Sequence, residues 1–365
     1  MKAFIQQLEQ HYHQPARCAE AQSLIYFLED TPGFRRKKWG RGFRYFDSKG
    51  TPVKAPPLKK RLASIPAPPA WRNVWLAPED NFHVLAYGED TAGRKQYTYH
   101  PRWSAYRNRL KYYHLLTFSE VLAPLRKAAY AQLKHSEKAA PDHAEQMMAL
   151  MVLLLDKGAL RIGSEYYYEQ RETVGLTTLH PEHVQCKGPQ IELCYPAKSG
   201  QERCIHMQHK RLSRALQHLK ASVPEGDYLF SYFNNHAGER HAISAEQLNH
   251  YLNRFSDFAV SAKDFRTWKG TLKAFETMIK AHQKGEKQSL KAISEIVAKT
   301  LGNTPAIAQQ SYIHGDLLNL WQEGHFGNYY TQVKDQKRKA YFSKTEVQLS
   351  ALLETLFQEK MLPLL

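Results

Sequence analysis

The sequence predicts an α+β fold: a small β-rich N-terminal domain over residues 1–103, then a mainly α-helical domain over 104–365 that contains one β-hairpin. Three observations support this division. The first hundred residues are dense in turn formers and aromatic residues, with short alternating runs between them. Beyond Arg102, apolar residues recur at the three- and four-residue spacing of a helix face. That pattern is interrupted once, between Ile191 and Met207, by strand-like alternation on both sides of a turn.

In chain order, residues 42–46 followed by Asp47-Ser48-Lys49-Gly50 read as a strand entering a tight turn. Residues 82–87 and 94–100 flank Asp90-Thr91-Ala92-Gly93 as a hairpin. The proline-dense stretch 51–70 is expected to be extended or turn-like, because proline fixes φ and lacks a backbone donor. Helical patterns follow at 118–135, 142–155, 245–258, 268–283 and 289–301. Ile191, Leu193 and Tyr195 alternate, Lys198-Ser199-Gly200-Gln201 turns the chain, and residues 204–207 return, which puts Lys198 at or beside a hairpin tip. Asn303 and Thr304 before Pro305 mark a helix start with proline in its first turn, and Tyr312 falls about two turns along it. An amphipathic end at 347–357 should pack as a helix.

With 42% hydrophobic residues the chain can bury a substantial core. Lys+Arg 51 against Asp+Glu 35 leaves a net charge of +16, which favours a polyanionic partner, since each cation on a phosphate releases condensed counterions. No segment reaches the roughly 18–20 apolar residues of a membrane span, and residues 1–9 lack the apolar stretch of a secretory signal. The four cysteines, Cys18, Cys186, Cys194 and Cys204, are irregularly spaced and are expected to be reduced thiols of an intracellular protein. Cys194, Cys204, His206 and His209 lack the short-spaced pairs of a zinc knuckle, so no metal site is expected there.

Two arginines, a lysine, an asparagine and a tyrosine in the second domain suit phosphoryl transfer. Breaking a phosphodiester requires an in-line nucleophile, stabilisation of charge on the non-bridging oxygens and a proton for the leaving oxygen. Arg161, after the breaker Gly158, and Arg266, expected just ahead of a helix beginning near Trp268, offer planar forks that stay charged. Lys198 can release a proton, and Lys263 lies three residues before Arg266. Taken singly, each has a plainer reading: a surface arginine at a helix end, a solvated turn lysine, a capping Asn303, a packing Tyr312.

The joint pattern resembles the type IB DNA topoisomerases, specifically their bacterial and poxvirus-like branch. The resemblance rests on Arg161-Ile162-Gly163, Gly175-Leu176-Thr177-Thr178-Leu179, Ala197-Lys198-Ser199-Gly200, Lys263-Asp264-Phe265-Arg266-Thr267-Trp268 and Asn303-Thr304-Pro305-Ala306 leading to Ser311-Tyr312-Ile313-His314. It extends to Gly40-Arg41-Gly42-Phe43 and Gly93-Arg94-Lys95-Gln96-Tyr97-Thr98-Tyr99, and so spans about residues 30–316. It implies that Tyr312 attacks DNA to form a 3′-phosphotyrosyl bond, that Arg161 and Arg266 hold the phosphate and that Lys198 protonates the leaving 5′-oxygen. Asn303 would contact a non-bridging oxygen where poxviral relatives carry histidine, and Lys263 would assist. Gly315 departs from the proline common in the family at that place.

The same resemblance implies a clamp of two domains around duplex DNA by a monomer, relaxing supercoils of both signs without a cofactor, ATP or metal, in the cytoplasm on the nucleoid. Residues 34–45 interleave cations, aromatics and glycines as a phosphate-tracking surface would, with Arg35, Arg36, Lys37 and Arg41 as contacts. Lys95, Tyr97 and Tyr99 would share one strand face along the DNA. Two rival readings are a tyrosine site-specific recombinase, disfavoured by Lys263-x-x-Arg266 and the β-rich N-terminus, and a non-catalytic DNA-binding relative, disfavoured because the catalytic set is complete.

Overall fold

A five-stranded antiparallel sheet organises the N-terminal unit of the computed structural model, which describes residues 2–136, 138, 144–197, 200, 202–234 and 239–362. Its strands are β1 (Phe34–Trp39), β2 (Gly42–Phe46), β3 (Arg72–Leu76), β4 (Val84–Glu89) and β5 (Lys95–Tyr99), in the order β2-β1-β3-β4-β5. Trp39 pairs with Gly42 across the tight turn Gly40-Arg41, where Gly40 takes φ 57, a conformation that glycine adopts without Cβ strain. Strand alternation, shifted once by an irregularity between Val84 and Ala86, then sorts the core. Val74, Leu76 and Ala86 pack with Leu62 and Ile65 on one face, while Trp75 and Val84 pack with Phe27 and Phe82 on the other.

This unit also holds helices α1 (Lys2–His13), α2 (Pro15–Glu20), α3 (Pro56–Ser64) and α4 (Pro101–Tyr113). Helix α3 corrects the expectation that residues 51–70 are extended. Pro56 and Pro57 sit in its first turn, where the missing donors are unpaired in any helix, and Leu58-Lys59-Lys60-Arg61-Leu62 are good helix formers. Glu9 of α1 is buried, and its carboxylate lies 2.8 Å from Nδ1 of His114, just past α4. The chain divides into two compact units at His114/Leu115, slightly beyond the change of pattern near Trp103.

The second unit contains α5 (Leu115–Ser136), α6 (Ala144–Gly158), α7 (Glu165–Arg171), α8 (Lys210–Ser222), α9 (Ala245–Asn253), α10 (Ala262–Lys284), α11 (Leu290–Leu301), α12 (Pro305–Tyr312), α13 (Gly315–Gln322), α14 (Phe326–Val333) and α15 (Lys344–Leu356). Helix α10 is its axis, burying Phe265, Trp268, Phe275 and Met278. It begins at Ala262, not near Trp268, because Ser261 and Asp264 close a capping box, the Ser261 amide donating to Asp264 Oδ2 at 2.7 Å. Lys263 and Arg266 therefore lie within the helix and not ahead of it.

The expected hairpin is present as β7 (Gln190–Pro196) and β8 (Glu202–Gln208), joined by β6 (Val184–Lys187) into a three-stranded sheet. A separate pair, β9 (Ser231–Asn234) and β10 (Glu239–Ala242), was not anticipated. Cys194 and Cys204 stand directly opposite in β7 and β8 and form a disulfide, with Cα atoms 4.2 Å apart. This corrects the expectation of four reduced thiols; Cys18 and Cys186 are free. Lys198, at the tip beyond β7, lies outside the described residues.

The C-terminal segment clasps the back of α10. Arg126 of α5 binds Asp156 of α6 and Glu346 of α15, each at 2.6 Å, and Glu346 also accepts from Trp268 Nε1 at 3.3 Å. Burial alone would raise the Glu346 carboxyl, but Arg126, the Ser343 amide and Trp268 outweigh it and hold it below its ordinary value. Its contribution to stability is thus complete above the ordinary carboxylate range and is lost as pH falls through the folded value. Glu346→Ala leaves Arg126 half-compensated in the core and should cost about 3 kcal/mol. A thermal melt should show a midpoint lower by roughly 6–12 °C, and a loss below about 2 °C would deny the clasp its role.

Candidate active site

Tyr312 is the last residue of α12. Thr304 caps that helix, its Oγ1 accepting from the Ile307 amide at 3.3 Å, and Pro305 opens it. The far end is seated on α10: Thr271 Oγ1 donates to the Tyr312 carbonyl at 3.2 Å and accepts from the His314 amide at 3.1 Å. Close approach requires Gly270, where a Cβ would fall 2.6 Å from the Tyr312 carbonyl oxygen. One turn earlier on α10, Arg266 lays its guanidinium over the Tyr312 ring, with Cζ 5.0 Å from the centroid.

The end of α11 gathers three arginines. The last carbonyls of a helix have no intrahelical partner and form the negative pole of its dipole. Here Thr300, Leu301 and Gly302 offer theirs in succession. Arg203 Nη2 reaches the Thr300 carbonyl at 3.4 Å, Arg266 Nη2 the Leu301 carbonyl at 3.0 Å, and Arg161 Nη2 the Gly302 carbonyl at 2.9 Å. Gly302 closes the helix in the left-handed conformation, φ 62 and ψ 55, a position that favours glycine. Asn303 is therefore not the cap. Its Oδ1 accepts from Arg161 Nη2, while Thr304 does the capping.

Arg161 itself is fixed from behind. Its carbonyl accepts from the Leu176 amide at 2.9 Å, and the Ile162 carbonyl accepts from the Thr177 amide at 2.8 Å. A Cβ on Gly175 would come within 2.3 Å of Gly163 Cα, so two glycines let these backbones touch. Gly175-Leu176-Thr177-Thr178-Leu179 is thus a brace for Arg161. The structure brings together Arg161, Arg266, Asn303 and Tyr312. Exposed Lys263 adds its charge to the same tyrosine.

The electrostatics follow from this packing. Burial pushes the Tyr312 phenol upward, but Arg266, by charge and hydrogen bond, then Arg161 and Lys263, bring it below its ordinary value. Arg161 is itself lowered, first by burial and then by Arg266. Among the described residues, neither Arg161, Arg203 nor Arg266 pairs with a carboxylate, and Arg266 Nε, Arg203 Nη1 and Asn303 Nδ2 are buried donors without a partner. Unpaired buried donors are costly, each by about 1–3 kcal/mol or more when charged. Such a set is suited to an anion rich in oxygen acceptors. Arg203 was not among the residues singled out from sequence. The signal that could have found it is its position directly opposite Tyr195 in the hairpin.

In the N-terminal unit, register places Arg35, Lys37, Trp39 and Arg44 on the sheet face that carries Tyr87, Tyr97 and Tyr99. Arg44 stacks 3.7 Å over the Trp39 ring, and Trp39 is 57% exposed, so this face presents cations and aromatics together. Arg41 is exposed at the β1–β2 turn. Lys95 belongs to the same face but pairs with Glu29 at 2.5 Å. Arg36 points the other way, committed to the carbonyls of Ala67 at 2.6 Å and Pro68 at 2.7 Å. No described helix is long and apolar enough to cross a membrane.

Two family models match this chain: the catalytic core of eukaryotic DNA topoisomerase I over residues 100–339, and the N-terminal domain of bacterial DNA topoisomerase IB over residues 42–90. The chain is 26% identical over 302 residues to DNA topoisomerase 1B of Acanthamoeba polyphaga mimivirus, covering 80% of this chain and 88% of the viral one. It is 24% identical over 250 residues to DNA topoisomerase 1B of vaccinia virus (strain Copenhagen), covering 67% and 74%. A solved XerH site-specific recombinase bound to a palindromic difH substrate aligns over 55% of this chain and 51% of that chain at 12% identity, with a TM-score of 0.33.

Proposed function

Because the chain belongs to the type IB DNA topoisomerase family, whose catalytic-core model covers most of its length, we propose that Tyr312 cuts one strand of duplex DNA and holds its 3′ end as a phosphotyrosine while the helix relaxes. The observation that carries this reading is a phenol with a lowered pKa beneath Arg266, surrounded by buried cationic and amide donors that lack an acceptor. The phenolic oxygen attacks phosphorus, the bond to the 5′-oxygen breaks, and Lys198 gives that oxygen a proton. Arg161, Arg266 and Asn303 bind the non-bridging oxygens, whose charge grows in the transition state. Lys263 supports the tyrosine by its charge.

The free 5′-hydroxyl end then swivels, driven by torque of either sign, and attacks the phosphotyrosine to reseal the strand. The linkage energy stays in the covalent intermediate, so ATP is not consumed, and the charge is met by guanidinium groups, so divalent metal is not required. The exposed face bearing Arg35, Lys37, Tyr97 and Tyr99, with Arg41 at its edge, serves as one jaw of a monomeric clamp around the duplex. Lys95 contributes once DNA displaces Glu29, and Arg36 supports the face from behind through its carbonyl contacts.

The test is plasmid relaxation by dilute protein in EDTA without ATP, on both negatively and positively supercoiled substrates, followed by mass spectrometry of the trapped adduct. Both substrates should relax and the DNA should be found on Tyr312. A requirement for ATP or metal, or an adduct on another residue, would overturn the reading. A substrate with sulfur as the 5′ leaving atom should restore most of the cleavage lost in Lys198→Ala, because a thiolate leaves without a proton; no rescue would remove Lys198 from the acid role.

A further inference from the structure

We propose that Arg203 is a third phosphate-binding arginine, donating from Nη1 to an oxygen of the DNA strand held at Tyr312. The inference deepens the function proposed above and rests on it. Arg203 stands on β8, opposite Tyr195 of β7 and beside the disulfide of Cys204. It is only 8% exposed. Its side chain runs under the end of α11, where a Cβ on Gly302 would lie 3.1 Å from its Cδ, Nε and Nη1. Arg161 binds the carbonyl of that same glycine, so the two guanidinium groups flank one residue.

The end of α11 accounts for only part of this placement. The only side-chain hydrogen bond of Arg203 among the described residues is to the Thr300 carbonyl at 3.4 Å, near the limit of such a bond. Its Nη1 is buried without a partner, and among the described residues no carboxylate pairs with it. Burial pushes its pKa down to about 10, with Tyr195 opposing and Arg266 and Arg161 adding to the fall. A buried cation placed among two others is costly, and a full negative charge that joins it relieves that cost. The phosphate backbone supplies that charge, and a fork already tethered at one nitrogen loses little freedom in reaching it.

The experiment uses the full-length protein and a duplex cleaved in a single turnover, carrying either a normal phosphodiester or a neutral methylphosphonate at the scissile position. With the phosphodiester, Arg203→Ala should cleave about 100-fold more slowly than the parent, and Arg203→Lys should recover part of that loss. With the methylphosphonate, the penalty should shrink by about tenfold or more, because the charge it answered is gone. A brace that only ties β8 to α11 would show the same penalty on both substrates, and this outcome would overturn the proposal, as would an alanine variant within about threefold of the parent. Should the alanine variant fail to fold, the same comparison is made with Arg203→Lys, whose smaller penalty must also shrink on the neutral substrate. A parent protein that forms no adduct at Tyr312 sinks the nucleophile assignment first; a parent that forms it, with an indifferent Arg203, sinks this inference alone.

Discussion

Tyr312→Phe should eliminate covalent capture of DNA and plasmid relaxation together, while DNA affinity by gel shift stays within about threefold of the parent. The substitution deletes one oxygen. The ring remains beneath Arg266, and the main-chain bond from Thr271 to residue 312 is untouched, so the end of α12 should keep its seat on α10. Binding depends on cations distributed over the protein, whereas bond exchange depends on one nucleophilic atom. Titration measures the first property and denaturing gels of trapped complexes the second. Continued formation of a covalent species by the phenylalanine protein would refute the assignment.

Arg266→Ala should be nearly as damaging, slowing single-turnover cleavage by about a thousandfold or more. Three effects combine in it. A buried fork for the phosphate is lost, the Leu301 carbonyl loses its partner, and the tyrosine loses the strongest of the charges that lower its pKa. The last has a definite sign. A phenol lowered below its ordinary value becomes phenolate at lower pH, so cleavage should rise as pH increases through that value and then level off. Removing Arg266 leaves burial less opposed, and the rise should move to higher pH. Rates measured from about pH 6 to about pH 10.5 would show it, and an unmoved profile would mean that Arg266 does not tune the nucleophile.

The parts of the fold governed by local pattern were legible. The β4–β5 and β7–β8 hairpins follow from alternation and turn chemistry, and α5, α6, α11 and α15 from apolar spacing. The misreadings concern residues whose role depends on position within an element. Pro56 and Pro57 signal a break unless they stand in the first turn of a helix, and Ser261-x-x-Asp264 is a start signal that residue spacing alone does not separate from a polar loop. Cys194 and Cys204 look unrelated in a linear reading, yet they are equidistant from position 199, so the hairpin's own symmetry pairs them. The reactive side chains of the site were legible because tyrosine, arginine and asparagine advertise their chemistry. Its organiser was not, since the carbonyls of Thr300, Leu301 and Gly302 belong to the main chain and leave no mark in residue type.

That shared helix terminus makes the three arginines mechanically interdependent. Withdrawing one guanidinium strips a carbonyl of its partner, and a second withdrawal falls on a terminus that is already loosened. Paired replacements at 161, 203 and 266 should therefore show strong epistasis, with double variants much less impaired than the product of the single defects.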